Sequence, residues 1–203
     1  DIFSQRTDFL ALFDCAYQGF ADSLEEDAYP VRMFAEKGLQ FISAQSASKN
    51  CSLYGQRVGC MSVTVSSSDE KDKIENVLST KIIRRNYSNP PKYGSDLFVT
   101  VMKDAELRKN WVEELDYIRK RMIRIREDFV ERISRSGNTS QFDFIKNEKG
   151  MFSTLGLSAA QDQQLKKDFG LYLPDGGRIA FPCLTDSNME YVVGSILAVC
   201  NLK

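Results

Sequence analysis

LQFISAQSASKN, residues 39–50, joins a short apolar run to a polar loop that contains a single lysine. Its first six residues have the length and apolar character of a buried β-strand. In open α/β folds, ligands bind beyond the carboxyl ends of the strands. We therefore predict a strand over residues 39–44 and a candidate ligand-binding loop over residues 46–50.

A similar apolar run lies upstream. FLALFD (9–14) has the pattern of a second buried strand, and it ends in a carboxylate. Between the two strands, residues 22–37 are predicted to form a helix, with Asp22 or Ser23 as its N-cap. Gly38 is the predicted C-terminal stop of that helix.

The rest of the chain continues to alternate between strand and helix patterns. Further elements are predicted as strands over 58–65, 150–155 and 178–182, and as helices over 66–85, 111–137, 158–169 and 186–201. Two prolines in SNPPKYGS (88–95) must interrupt regular structure, since proline lacks a backbone donor. Gly137 is the predicted residue just after the long helix. This order predicts an α/β fold, with one domain over 1–110 and a smaller one over 111–203, entered along the long helix.

Histidine is absent from the 203 residues. This excludes a Ser-His-Asp triad, a Cys-His dyad, an HExxH zinc site and a two-histidine iron site. We expect no metal centre, and any proton transfer must use Lys, Tyr, Asp, Glu or Cys.

Cysteine usage and charge limit the compartment and the partners. The five cysteines form no CxxC pair, so we predict buried or half-buried thiols in a reducing compartment. The 27 Lys+Arg nearly balance the 28 Asp+Glu, and no apolar run approaches the roughly 20 residues of a membrane span. Basic residues of the long helix alternate with acids and are interpreted as a solvated face; they are Arg119, Lys120, Arg121, Arg124 and Arg126. No nucleic-acid or membrane partner is therefore expected.

Three features of the first half fit one kind of site. They are Asp14 followed by Tyr17, the Ser46–Asn50 loop with Lys49, and Arg57 eight residues further on. Taken singly, a strand-terminal Asp is usually a cap, a loop lysine is usually at the surface, and an arginine usually forms an ion pair. Their order is more informative, because an acid, a phenol, hydroxyls, an amine and a guanidinium all fall near strand ends.

Seven motifs along residues 13–181 resemble those of the aspartate aminotransferase family, which are fold-type I enzymes that use pyridoxal 5′-phosphate. They are FDCAYQGF, LEEDA, AQSASKN, LYGQRVG, RRNYSNPP, GMFS and DGGRIAF, in the family's order. The resemblance implies part of a large cofactor-binding domain, with a mainly parallel sheet covered by helices on both faces, and a small α/β C-terminal domain. It also implies that this chain is the C-terminal half to two-thirds of the family's chain, and a start without Met fits that expectation.

The resemblance also assigns roles around the reacting atoms. Lys49 matches the lysine that holds the cofactor as a Schiff base and then moves the substrate's proton. Asp14 matches the carboxylate that keeps the pyridine nitrogen protonated, and Tyr17 matches the phenol that hydrogen-bonds the ring oxygen. Phe152 matches a pocket-lining aromatic residue, although an ordinary core phenylalanine is an equally good interpretation.

Anion binding is assigned in the same way. Ser46 and Arg57 match residues that bind the cofactor phosphate, and Ser48 lies in the same loop. Arg178 matches the arginine that binds the substrate's α-carboxylate. Arg84 matches the arginine that reaches the side-chain carboxylate from the neighbouring subunit, which implies a homodimer.

The implied activity is reversible amino-group transfer between L-aspartate and 2-oxoglutarate, with dicarboxylic amino acids and 2-oxo acids as substrates. An aromatic or broad-specificity class I aminotransferase could keep both arginines and is one alternative. A truncated, non-catalytic fragment or paralogue is another, since the family's N-terminal half would supply further cofactor contacts. The expected compartment is the cytoplasm, and the mitochondrion stays open.

Overall fold

A computed structural model of the chain describes residues 5–6, 8–136 and 140–200. The strands are β1 (Ala11–Cys15), β2 (Phe41–Ser46), β3 (Gly59–Val63), β4 (Phe152–Thr154) and β5 (Arg178–Ala180). The α-helices are α1 (Tyr29–Glu36), α2 (Ser68–Asn76), α3 (Arg84–Asn86), α4 (Tyr93–Lys103), α5 (Ala105–Arg135), α6 (Ala159–Phe169) and α7 (Met189–Val199). This alternation confirms the predicted α/β class. The chain divides into two compact units, Asp1–Leu115 and Asp116–Lys203, whereas a domain boundary at residue 110 stays a prediction.

The sheet of the first unit has the strand order β1-β2-β3. β1 and β2 are parallel, and β2 and β3 are antiparallel. A parallel return needs a crossover that usually contains a helix. Residues 47–58 contain only the 3₁₀ turn Tyr54–Gln56, so the chain comes back antiparallel. The described part of the sheet is therefore mixed.

Aromatic packing fixes α1 on one face of this sheet. The Phe34 ring of α1 lies edge-to-face against Phe13 of β1 and Phe41 of β2, with ring centres 5.0 and 6.2 Å away. Such pairs add about 0.5–1.5 kcal/mol beyond area burial. The opposite face of β1, which carries Leu12 and Asp14, is exposed.

The helix predicted over residues 22–37 is shorter than expected. It begins at Tyr29, with Pro30 in its first turn, and neither Asp22 nor Ser23 caps it. Proline is tolerated in the first turn of a helix, because the N–H groups there have no partner within the helix. Gly38 follows the helix with a φ of 65°, as the predicted stop requires.

The helix predicted over residues 66–85 is present but changes type along its length. Ser67 caps α2 by accepting a hydrogen bond from the Glu70 N–H. A π-helical segment, Val77–Ile83, then leads into α3. The predicted interruption follows α3, and then α4 begins at Tyr93, a helix that we did not predict. Its signal was the helical spacing of Phe98, Val101 and Met102.

The core of the second unit forms around α5, the predicted long helix. α5 begins at Ala105, six residues earlier than expected, and Gly137 lies outside the described residues. The core side chains are apolar and nearly inaccessible, and they include Phe129, Ile133, Phe142, Leu165, Ile179, Phe181 and Ile196. β4 and β5 pair antiparallel over this core.

Replacing Phe129 with alanine is expected to destabilise the second unit strongly. The ring is 0% exposed, and its centre lies 5.7 Å from that of Phe181. A large core cavity costs about 3–5 kcal/mol of unfolding free energy, measurable by denaturant titration. Tyr117→Ala on the same helix, at a position 66% exposed, should change that energy by less than about 0.5 kcal/mol. A loss below about 1 kcal/mol for Phe129→Ala would contradict this packing.

All five cysteines are free thiols, but they differ in exposure. Cys15, Cys51 and Cys200 are half-buried, as predicted, and burial raises the pKa of the Cys51 and Cys200 thiols. Cys60 and Cys183 are exposed, which corrects the prediction for those two.

Within residues 5–6, 8–136 and 140–200, no helix has both the length and the apolar character needed to cross a bilayer. Nor does that part of the chain hold a group of three or more Cys, Asp or Glu side chains arranged for a metal ion.

Candidate active site

The first component of the site is the carboxyl end of the parallel strand pair. Asp14 of β1 lies opposite Ala44 of β2, two residues before β2 ends at Ser46. Alternation along β1 places Phe13 against α1 and Asp14 on the other, exposed face. Asp14 therefore lies on the strand next to β2, near the end of β2 that leads into the lysine loop.

The second component is the loop that follows β2. Ala47 and Ser48 are buried, and the Ser48 N–H donates to the Ser46 hydroxyl at 3.2 Å. Beyond the lysine, the Asn50 side-chain amide donates to the Gln18 carbonyl at 3.2 Å. The Trp111 indole N–H, from α5, donates to the Asn50 carbonyl at 2.7 Å. Lys49 is thus held between two anchored residues while its own side chain stays partly accessible.

Two tyrosine rings flank the Lys49 amine. Nζ lies 4.7 Å from the ring centre of Tyr17, in the turn after β1, and 5.4 Å from that of Tyr54. Amine-to-ring contacts of this length orient a lysine without forming an ion pair. Tyr17 was predicted at this site. Tyr54 was missed, although LYGQRVG contains it.

Arg57 also contacts Tyr54. Its guanidinium carbon is 5.6 Å from the Tyr54 ring centre, and Nη1 donates to the Tyr54 carbonyl at 3.1 Å. The Arg57 backbone is left-handed, with a φ of 55°. A non-glycine residue in this conformation costs about 1–3 kcal/mol, and such strain collects at functional sites.

Gly94 of α4 supports the Arg57 turn from outside. A Cβ atom at Gly94 would lie 2.4 Å from Val58 Cγ2 and 2.7 Å from Gln56 Cβ. Only glycine therefore lets α4 approach the two residues that flank Arg57. The SNPPKYGS segment thus helps to fix the direction of the arginine.

Arg84 is the first residue of α3, directly after the π-helical segment. Its side chain is exposed, and Nη1 donates to the Ser88 hydroxyl at 2.8 Å. Ser88 has a left-handed backbone, with a φ of 65°, at the start of the proline-rich segment. Arg84 is therefore on a different element from the group formed by Tyr17, Lys49, Tyr54 and Arg57.

Arg178 belongs to the second unit, where it is the first residue of β5. Its side chain is exposed, and its guanidinium carbon lies 5.1 Å from the Phe152 ring centre. Phe152 is half-buried on β4, so it provides a flat surface for the cation rather than a residue of the inner core.

The groups of the first unit define what this site can do chemically. An amine can attack a carbonyl carbon and accept a proton, and a carboxylate can hold a cationic nitrogen. Two serine hydroxyls and a guanidinium can bind a phosphate dianion. The first unit therefore offers a nucleophilic amine, a carboxylate and donors for an anion.

Comparison with known proteins extends these observations. A profile described as "Aminotransferase class I and II" matches residues 1–196. The aspartate aminotransferase of Pseudomonas aeruginosa is 41% identical over 186 residues, which are 92% of this chain and 46% of that relative. The aromatic-amino-acid aminotransferase of Escherichia coli is 37% identical over 192 residues, which are 95% of this chain and 48% of that relative.

A solved structure agrees with the two sequence relatives. The aromatic-amino-acid aminotransferase of Burkholderia pseudomallei, covalently bound to pyridoxal phosphate, matches with a TM-score of 0.88 and 42% identity. The match covers 95% of this chain and 47% of that chain. This chain thus spans about half the length of the relatives that it matches.

Proposed function

This chain belongs to the class I and II aminotransferase family, and from that membership we propose that its whole protein transfers an amino group reversibly between L-aspartate and 2-oxoglutarate. The observation that carries the proposal is Lys49, anchored at a strand end, flanked by Tyr17 and Tyr54 and followed by Arg57. Because the chain spans about half of its relatives, the activity is proposed for the whole protein.

The residues present fit pyridoxal 5′-phosphate, judged by the chemistry of the donor set. Lys49 would bind its aldehyde carbon, Asp14 its ring nitrogen and Tyr17 its ring oxygen. Ser46, Ser48 and Arg57 would bind its phosphate and form the proposed phosphate-binding group. Arg57 has a left-handed backbone, and its side chain donates to the Tyr54 carbonyl. When bound, this cofactor withdraws electrons from the substrate's Cα.

In this proposal, Lys49 carries the proton transfer that histidine cannot perform here. With substrate bound, the Lys49 amine would accept the proton from the substrate's Cα and would donate it to the cofactor's aldehyde carbon, which the amino nitrogen links to Cα. The hydrogen bonds of Ser48 and Asn50 fix the backbone on either side of Lys49. The Asp14 carboxylate would stabilise a proton on the ring nitrogen.

The two remaining arginines would bind the substrate. Arg178 would hold the α-carboxylate, with Phe152 limiting the directions open to its guanidinium. Arg84 would bind the distal carboxylate in a partner subunit, so the proposed active unit is a homodimer. We propose the cytoplasm as the compartment, with the mitochondrion as the alternative.

An aromatic or broad-specificity aminotransferase is the second candidate, and the Escherichia coli and Burkholderia pseudomallei relatives favour it. The deciding experiment compares kcat/KM for aspartate and phenylalanine, with 2-oxoglutarate as acceptor, on the full-length enzyme. A clear preference for aspartate supports the first proposal, and equal or reversed values support the second. No transfer from either amino acid would support a non-catalytic paralogue.

Replacing Asp14 with alanine is expected to slow the chemical step by about 10²–10³-fold, because the ring nitrogen loses its charge partner. Substrate binding should change little, so kcat falls while KM stays near its original value. An N-methylated cofactor, whose ring carries a fixed positive charge, should restore part of the rate. Asp72→Ala, an exposed position on α2, is the matched control. Near-normal kcat in Asp14→Ala would assign the electron-sink role elsewhere.

A further inference from the structure

Arg178 is on the outer face of a two-stranded ribbon formed by β4 and β5. Thr154 pairs with Arg178, and Phe152 pairs with Ala180. Between them, Ser153 pairs with Ile179, and these two side chains are 3% and 2% exposed. Arg178 therefore lies on the outer face of the ribbon, and Ser153 lies on the inner face, where its contacts fix the position of the ribbon.

That contact is Arg126 of α5. Lys120 and Arg124 of the same helix are exposed, whereas Arg126 is only 4% exposed, which corrects its assignment to a solvated face. Its Nη1 donates to the Ser153 hydroxyl at 2.5 Å, and Nη2 donates to the Gly150 carbonyl at 2.6 Å. Its guanidinium carbon lies 4.2 Å from the ring centre of Phe181, the residue that follows β5. The Arg126 guanidinium thus contacts Gly150 before β4, Phe181 after β5, and Ser153 on the inner face of the ribbon.

Burying a guanidinium between two strands costs desolvation free energy. Burial lowers the pKa of Arg126, and the Glu148 carboxylate, 3.7 Å from Nη1, opposes that shift only in part. Well-packed apolar residues often stabilise a core as well as a buried charge does. Unlike apolar residues, arginine fixes the geometry of its partners, because its rigid guanidinium holds two acceptors in one plane.

We propose that Arg126 is a positioning residue for substrate binding: it fixes the β4–β5 ribbon so that Arg178 meets the α-carboxylate that every amino-acid substrate carries. This inference rests on the proposed function of Arg178. Arg126 itself touches no substrate. Its effect passes through Ser153 on the inner face to Arg178, the diagonal neighbour on the outer face.

The test is Arg126→Lys in the full-length holoenzyme. Lysine keeps the charge but cannot hold Ser153 and Gly150 in one plane. KM for aspartate and KM for phenylalanine should both rise by about 10-fold, the effect of one lost charge-assisted hydrogen bond. The kcat per bound cofactor should stay unchanged. A merely structural role would reduce the amount of folded holoenzyme and leave both KM values as they were.

Two further variants keep the test decisive. Ser153→Ala removes a single contact and should raise the KM for aspartate and the KM for phenylalanine by equal factors. These factors should be smaller than in Arg126→Lys. This variant keeps the proposal testable even if Arg126→Lys fails to fold. Arg132→Met is the matched control on α5, because Arg132 pairs with Asp128 at 2.8 Å and with Glu190 at 2.6 Å, two residues that lie outside the ribbon. Its KM values should equal those of the wild type. A rise confined to aspartate, or unchanged KM values in Ser153→Ala, would overturn the proposal.

Amide hydrogen exchange separates this inference from the proposed function. In Arg126→Lys, the amides of β4 and β5 should exchange about 10-fold faster, while those of α7 keep their wild-type rates. If no amino acid proved to be a substrate, the proposed function would fail, yet this measurement would still decide whether Arg126 fixes the ribbon. Unchanged exchange in β4 and β5 would reject that part.

Discussion

Lys49→Ala in the full-length enzyme should lose at least about 10⁴-fold of its turnover, because one change removes both the covalent attachment point and the proton carrier. The Lys49 amine contacts the rings of both Tyr17 and Tyr54, and alanine removes it from this position. The characteristic absorbance of the covalently bound cofactor should disappear at the same time. Lys73→Ala, exposed on α2, should keep both properties.

The position of attachment can be measured without any turnover. Borohydride reduction of the resting enzyme, followed by peptide mapping, should place the cofactor label on the peptide that contains Lys49. A label on a different lysine would remove Lys49 from the proposed mechanism. Substantial turnover in Lys49→Ala would do the same.

The second large effect separates Arg178 from Arg84 by the carboxylate that each is proposed to bind. Arg178→Leu should weaken every amino-acid substrate, because all of them carry an α-carboxylate. Arg84→Leu should weaken aspartate and glutamate and spare phenylalanine. Losing one partner of a desolvated charge pair costs about 2–5 kcal/mol, so kcat/KM should fall by about 30-fold to several thousand-fold. Arg85→Leu, the exposed neighbour, is the matched control.

The subunit assignment of Arg84 has its own test. Heterodimers of an Arg84→Leu subunit and a Lys49→Ala subunit should contain one site with both defects and one with neither. Their activity on aspartate should therefore recover toward half of the wild-type value. If subunits exchange and no activity returns, Arg84 serves its own subunit's site or none.

Sequence patterns predicted the elements whose signals are local. The lysine loop followed from an apolar run that turns polar, and the helix stop at Gly38 followed from glycine's tolerance of a left-handed backbone. The start of α1 was predicted too early, because Asp22 and Ser23 are cap-forming residues. Asp27 instead accepts hydrogen bonds from the Gly19, Ala21 and Asp22 amides, which folds this stretch into a turn.

The parts of the site that were missed depend on contacts between distant segments. Tyr54 became part of it only because the chain returns past Lys49, which no local pattern specifies. Arg126 was hidden by its basic neighbours, although it lies four residues after Met122 and three before Phe129, on the buried stripe of α5. The helical spacing of Arg126 with these two buried residues was the signal that predicts its burial, and it is a better guide than the charge of its neighbours.

The π-helical segment Val77–Ile83 has a consequence for how Arg84 is aimed. A π-turn contains one residue more than the α-turn it replaces, and one residue corresponds to about 100° of rotation about an α-helix axis. The direction in which the Arg84 side chain leaves the helix axis therefore depends on the number of residues before it rather than on their identity. Substitutions within the segment would leave that direction unchanged, whereas a single deletion would rotate the guanidinium about a quarter-turn away. Such a deletion would remove the binding of a distal carboxylate that is proposed for Arg84.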